Sequence, residues 1–283
     1  MNVLDARQQL QAGPHRVMAD PQTGRPLLLL LRMAGRDAGL WDAAWPLLST
    51  RFRVAQFDLP MPQAHELEAP RDAFFALAQT VGEVADALGH DRYSVLGWQG
   101  GTHVALHCAV QQATRVALCM LVGPFFKPRD PRRVDGGLAF LQALFERGDA
   151  NLYATYWFFA GLSPHFLEHR FDDVAAWITR RVAGDKFLSR DAESAMRWMR
   201  SLRANWLSDA EYRSVAAPVL VLAPALDGWH AGPTVAMAGD LQARLPDAEL
   251  DVLDGLGHLA LLEDPARTLQ ALGAFCARHD ARL

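Results

Sequence analysis

Tyr93-Ser94-Val95-Leu96-Gly97-Trp98-Gln99-Gly100-Gly101-Thr102 runs from a short apolar segment through a glycine-flanked turn and straight into a helix-forming stretch. Tyr93 to Leu96 reads as a buried strand, and Gly97 and Gly101, on either side of Gln99, let the following helix lie close against it. Working outward, Leu27 to Leu31, Val54 to Phe57, Val116 to Val122, Val219 to Ala223 and Leu250 to Leu253 are further apolar runs bounded by Gly, Pro or charged residues. They read as strands covered on both faces. The segments between them have helical spacing. Phe74, Leu77, Val81, Val84, Ala85 and Leu88 form one stripe closed by Gly89, and a second helix is expected over Gly101 to Gln112. A last helix begins at Asp264-Pro265 and turns Leu269, Leu272 and Phe275 inward. Strands alternating with helices predict an α/β fold with a mostly parallel central sheet flanked by helices.

The stretch from Phe125 to Val215 breaks this rhythm. It contains no convincing strand and is rich in large apolar residues: Phe140, Leu144, Tyr153, Tyr156, Trp157, Phe158, Phe159, Trp177, Trp198 and Trp206. The pattern predicts an inserted helical cap over 125–215, on a core built from 1–124 and 216–283. Most of these aromatics are expected to pack the cap onto the core, with a minority lining an apolar pocket.

Composition narrows the partners. With 283 residues, 51% hydrophobic and 21% charged, the chain can bury a sizeable core as one folding unit with an insertion. A net charge of -4 gives no general attraction for polyanions, and the one compact basic run, Lys127 to Arg133, is interrupted by Asp130, so no nucleic-acid partner is expected. Cys108, Cys119 and Cys276 are widely spaced in apolar segments, which fits a reducing cytoplasm rather than a disulfide framework. Met1 to Gln11 has Asp5 and several glutamines where a signal peptide needs an apolar stretch, and Leu27 to Leu31 is far too short to span a bilayer. The expectation is a cytoplasmic protein without membrane contact, self-association into a homodimer being left open.

The turn around Gln99 has the outline of a nucleophile elbow, G-x-S-x-G, in which a strained central residue stands exposed at the carboxyl end of a sheet. Downstream, Asp227 follows the strand ending at Ala223, and His258 follows the next one in Leu253-Asp254-Gly255-Leu256-Gly257-His258. The order elbow, acid, histidine resembles that of the α/β-hydrolases, and Gly257-His258 through Leu262-Glu263-Asp264-Pro265 is similar to that superfamily's histidine loop and final helix. Leu27 to Leu31, then Trp41-Asp42 and Trp45-Pro46-Leu47-Leu48, then Arg53 to Leu59 resemble its third and fourth strands with the intervening helix. The resemblance spans the core and implies the α/β-hydrolase fold with a cap in the usual place.

Departures fall where that family does its chemistry. Gln99 stands at the nucleophile position, and a carboxamide offers no ionisable oxygen or sulfur for a covalent intermediate. The family's His-Gly pair after the third strand is matched by Arg32-Met33, which alters the loop carrying Ala34, the expected first oxyanion donor. The amide of Gly100, the other expected donor, depends on the turn alone. In Asp58-Leu59-Pro60-Met61-Pro62 the residues after Asp-Leu stand where the family often shows a Gly-His-Gly turn. What remains is a His258/Asp227 dyad: a carboxylate that orients an imidazole makes a general base near neutral pH without any nucleophile, with Gln99 positioning the substrate.

Other features carry less. His103 and His107, four apart on a helix, and His165-Phe166-Leu167-Glu168-His169, which matches H-x-x-E-H, have metal-like spacing but no complete ligand set, so no metal is expected. The glycine-rich turn lacks the dinucleotide fingerprint and the P-loop lysine, so no cofactor is expected. Arg32 is a candidate for binding an anionic group on a substrate, and Trp98 and Trp229 are pocket walls or packing. Three readings stay open: a nucleophile-less enzyme acting on a small hydrophobic ester or carbonyl compound, a catalytically silent protein binding a small apolar ligand, and a pseudo-hydrolase acting through its surface.

Overall fold

A computed structural model describes residues 7–31, 41–57, 59–60, 62–63, 65–124, 139–144, 146–184, 200–201, 207–227 and 234–283. Eight strands form one sheet: β1 (Gln8–Ala12), β2 (His15–Ala19), β3 (Leu27–Leu31), β4 (Arg53–Phe57), β5 (Tyr93–Trp98), β6 (Val116–Val122), β7 (Val219–Pro224) and β8 (Ala248–Leu253). Their order is β1-β2-β4-β3-β5-β6-β7-β8; β1, β2 and β4 pair antiparallel, and every pairing from β4 through β8 is parallel. The mostly parallel sheet expected from the apolar runs is therefore present.

The hairpin β1–β2 was not legible in those runs. Its strands are short and largely polar, with Ala12, Val17 and Ala19 buried, and they turn at Gly13, whose φ of +58° suits glycine. In β3, by contrast, all five leucines are buried: Leu27, Leu29 and Leu31 join one apolar cluster, and Leu28 and Leu30 join the other. Helices covering both faces of a sheet demand that pattern.

The helices are α1 (Trp45–Leu48), α2 (Pro70–Ala87), α3 (Gly101–Gln111), α4 (Ala150–Gly161), α5 (Pro164–His169), α6 (Phe171–Gly184), α7 (Asp209–Ser214), α8 (Thr234–Gln242), α9 (Ala260–Glu263) and α10 (Pro265–Arg278). Helix α2 buries Phe74, Leu77, Val81, Val84 and Ala85 on one stripe and ends as expected at Gly89. There φ is +81°, the Gly89 N–H donates to Asp86 O at 2.9 Å, and the His90 N–H donates to Ala85 O at 3.0 Å. This is a Schellman stop. Asp264 caps α10 by accepting from the Arg267 N–H at 2.9 Å, ahead of Pro265 at the first turn.

Between β6 and β7 the described residues hold helices and no strand. Helices α4, α5 and α6 contribute Phe158, Phe166 and Val174, and the corner after α4 contributes Leu162, to the cluster that contains Trp98, Leu256 and Leu259. Trp177 stacks on Phe166 at a ring separation of 5.5 Å and on Phe158 at 6.0 Å. Phe159, in contrast, is 70% exposed. Among the described residues, no helix is long and apolar enough to cross a membrane.

Candidate active site

Parallel pairing brings the carboxyl ends of four strands to one edge. Trp98 of β5 is level with Val122 of β6, Val122 with Leu222 of β7, and Pro224 of β7 with Leu253 of β8. The residues that follow these ends, Gln99, Gly123, Asp227 and His258, therefore gather at the sheet's carboxyl edge, where ligands of open α/β sheets bind.

Gln99 is held in the elbow conformation. Its φ of +51° makes it the single positive-φ residue other than glycine among those described. A side chain costs about 1–2 kcal/mol in that region, so a bulky residue persists there only where its surroundings impose it. Three bonds to two neighbours do so: the Gln99 N–H donates to Val122 O at 3.4 Å, Gln99 O accepts from Thr102 N at 2.9 Å, and Thr102 Oγ1 donates to the same carbonyl at 2.5 Å. Gly97 is required for another reason: a Cβ there would stand 2.5 Å from Gly101 O and 2.8 Å from the Thr102 Cα, both in the backbone of the closely packed α3. Gly100 is buried and starts that helix. The turn has kept its geometry although its centre is a carboxamide.

The dyad expected from strand order is formed. His258 Nδ1 lies 2.6 Å from Asp227 Oδ2, and both side chains are fully buried. A carboxylate oxygen only accepts, so Nδ1 carries the proton and the basic lone pair of the imidazole is on Nε2. Asp227 is steadied in turn by Thr234, whose Oγ1 donates to the Asp227 carbonyl at 3.3 Å. Trp98 lies against the histidine: the rings are 5.5 Å apart, and the indole Nε1–H donates to His258 O at 3.3 Å. Thus the residue preceding Gln99 touches the histidine directly.

One contributor escaped sequence reasoning. Gly123, just past β6, has φ +56°, and a Cβ on it would stand 3.3 Å from His258 Nδ1 and 3.8 Å from Asp227 Oδ2. The signal was available as a glycine directly after a strand end, but its target lies in loops more than a hundred positions further along.

The remaining candidates separate cleanly. Arg32, Ala34 and Trp229 lie outside the described residues, as does the Asp58 position. His103 and His107 are buried in α3 beside Phe74, and His107 Nδ1 donates to His103 O at 2.6 Å. Burial holds the His107 imidazole at about 4, well below its ordinary value. His165 and His169 belong to the short α5, where His169 Nδ1 donates to His165 O at 2.9 Å. Among the described residues, no group of three or more His, Cys, Asp or Glu could hold a metal ion.

Elbow, acid and histidine stand at the carboxyl edge of this strand order, and the chain belongs to the alpha/beta hydrolase family, whose sequence profile matches residues 28–271. It is 29% identical over 269 residues to the pimeloyl-[acyl-carrier protein] methyl ester esterase of Nitrosomonas europaea, covering 88% of this chain and 95% of that protein. Among solved structures it is similar to the 2-hydroxy-6-oxo-6-phenylhexa-2,4-dienoate hydrolase of Rhodococcus sp. strain RHA1, with TM-score 0.75, 21% identity, and 97% and 98% of the two chains covered. It is also similar to the enol-lactonase of Burkholderia xenovorans LB400, with TM-score 0.75, 17% identity, and 95% and 100% covered.

Proposed function

We propose that this protein hydrolyses an ester of a small hydrophobic carboxylic acid without forming an acyl-enzyme, and that the His258/Asp227 dyad acts on water directly. The observation that carries this reading is the 2.6 Å bond from His258 Nδ1 to Asp227 Oδ2, intact beside an elbow whose centre is Gln99. The methyl ester esterase activity named for the Nitrosomonas relative supports an ester as the substrate class.

In this mechanism His258 Nε2 takes a proton as water adds to the ester carbonyl, and Asp227 stabilises the resulting imidazolium. The carbonyl oxygen becomes an oxyanion that accepts from the Gly100 N–H and from the Gln99 side-chain amide. Collapse of the tetrahedral intermediate breaks the bond to the alcohol, which leaves with the proton from Nε2, and the carboxylic acid is released. Helices α4, α5 and α6, whose apolar residues pack with Trp98, Leu256 and Leu259, serve as an apolar cover that keeps bulk water from the site.

The test compares wild type with His258→Ala on activated aryl esters and methyl esters of short and medium chain length, with intact-mass measurement during turnover. Hydrolysis lost in the variant, with no acyl adduct on the wild type, is the expected result. Equal rates in both proteins, or a protein-bound acyl group, would overturn it. The complete burial of both dyad side chains favours one second reading, a silent protein that holds a small apolar ligand. That reading predicts no turnover and unchanged ligand affinity in His258→Ala.

A further inference from the structure

His258 is held by its neighbours in the chain as much as by Asp227. One backbone group from each of three consecutive residues is bonded to a separate element. The Gly257 N–H donates to Glu263 Oε1 at 2.9 Å, His258 O accepts from the Trp98 indole of β5 at 3.3 Å, and the Leu259 N–H donates to Gly161 O at the end of α4 at 2.9 Å. Glu263 Oε1 also accepts from the Ser163 N–H at 3.1 Å, so one carboxylate oxygen joins the histidine loop to the corner between α4 and α5. The fit leaves no slack: a Cβ on Gly257 would stand 2.6 Å from Gly161 O, 2.7 Å from Glu263 Oε1 and 2.8 Å from the Leu162 carbonyl carbon.

Burial pushes the Glu263 carboxyl above its ordinary value against the opposing pull of its bonds to Ser163 and Gly257, and Oε2 finds no hydrogen-bond partner among the described residues. What its placement provides is the pair of bonds that Oε1 accepts from Gly257 and Ser163. Glu263 touches neither the dyad atoms nor the elbow in any of these bonds; it acts through backbone amides.

We infer that Glu263 is a positioning residue that fixes the His258 loop to the Gly161–Ser163 corner, so that the place of the imidazole and the place of helices α4 and α5 are set together. The catalytic consequence rests on the reading proposed above; the structural coupling does not.

Amide hydrogen exchange and the Nδ1–H proton resonance of His258 test the coupling in the full chain, and kcat and KM test its consequence. In Glu263→Ala, exchange at Gly257 and Ser163 accelerates at least tenfold, Leu259 follows, and the His258 Nδ1–H signal shifts or broadens. Glu263→Gln, which keeps a carbonyl oxygen as acceptor, stays within threefold of wild type on each readout. Should Glu263→Ala fail to fold, Ser163→Pro removes the Ser163 N–H donor together with the Oγ that caps α5 by accepting from the Phe166 N–H, and Ser163→Ala, which removes the Oγ alone, is its control. The backbone there already has φ -68° and ψ 151°, and Leu162 before it has ψ 149°, so proline is accommodated. Its expected result is the same change at His258 with Glu263 in place. With an ester that wild type hydrolyses, Glu263→Ala lowers kcat at least tenfold and moves KM less than threefold. Unchanged exchange at Gly257 together with an unchanged Nδ1–H signal would overturn the inference. Altered resonances in a protein whose wild type hydrolyses no ester would uphold the coupling and overturn the catalytic reading instead.

Discussion

Gly123 and His258 are so close that a Cβ on the glycine would stand 3.3 Å from the imidazole Nδ1, the atom that binds Asp227. The glycine also has φ +56°, so alanine there is strained in its backbone as well as crowded in its side chain. Gly123→Ala is expected to destabilise the fold by about 1–2 kcal/mol and to lower ester hydrolysis by more than that loss of stability explains. Melting temperature and kcat on the same preparation check this, and full activity in a folded variant would count against the dyad.

In the proposed mechanism Asp227 acts by holding one tautomer of His258. In Asp227→Asn the amide nitrogen can face Nδ1 and push the proton to Nε2, which removes the basic lone pair from the side facing substrate. The expected loss in kcat is on the order of 10²–10⁴-fold, with the circular dichroism spectrum unchanged. A variant retaining wild-type turnover would show that the pair is structural.

Gln99 carries the backbone strain of the elbow. Replacing it by glycine removes the cost of φ +51° and adds backbone entropy to the unfolded chain, so Gln99→Gly is expected to gain up to about 1 kcal/mol of stability. Under the proposed mechanism it also loses activity, because the amide that orients the substrate is gone. Urea unfolding and ester hydrolysis measure the two effects separately.

His107 makes the fold acid-sensitive. Its imidazole titrates at about 4 in the folded protein, against an ordinary value of 6.5, because burial disfavours the charged ring. A depressed folded value means that the stability it contributes is complete above 6.5 and is lost as pH falls through 4. At roughly 1.4 kcal/mol per unit, full protonation costs on the order of 3 kcal/mol. Urea unfolding of wild type and His107→Gln at pH 7 and pH 4 should show a smaller acid penalty in the variant; equal penalties would place the sensitivity elsewhere.

Much of the architecture was legible because burial on two faces writes itself as continuous apolar runs. Leu27 to Leu31 and Val116 to Val122 are unmistakable as central strands, and the stripe ending at Gly89 announces α2. The β1–β2 hairpin was not legible, since a polar strand near a sheet edge needs only alternate buried residues and Gln8, Gln9 and Gln11 look like loop. In the site, Asp227 and His258 were recognisable from their places after consecutive strands, and Gln99 from the glycines around it.

By itself, then, the sequence determined the fold, the order of the site residues and the carboxamide at the centre of the elbow, because these depend on local periodicity and on residue identity at one position. Only the tertiary structure decided that the dyad is made, that Gly123 leaves room for it, that Trp98 holds the His258 carbonyl, and that Glu263 ties the histidine loop to the α4–α5 corner. The physical reason is that each of these is a contact between segments far apart in the chain. Its existence depends on angstrom-scale approach at the sheet edge, and no residue type or spacing encodes that distance.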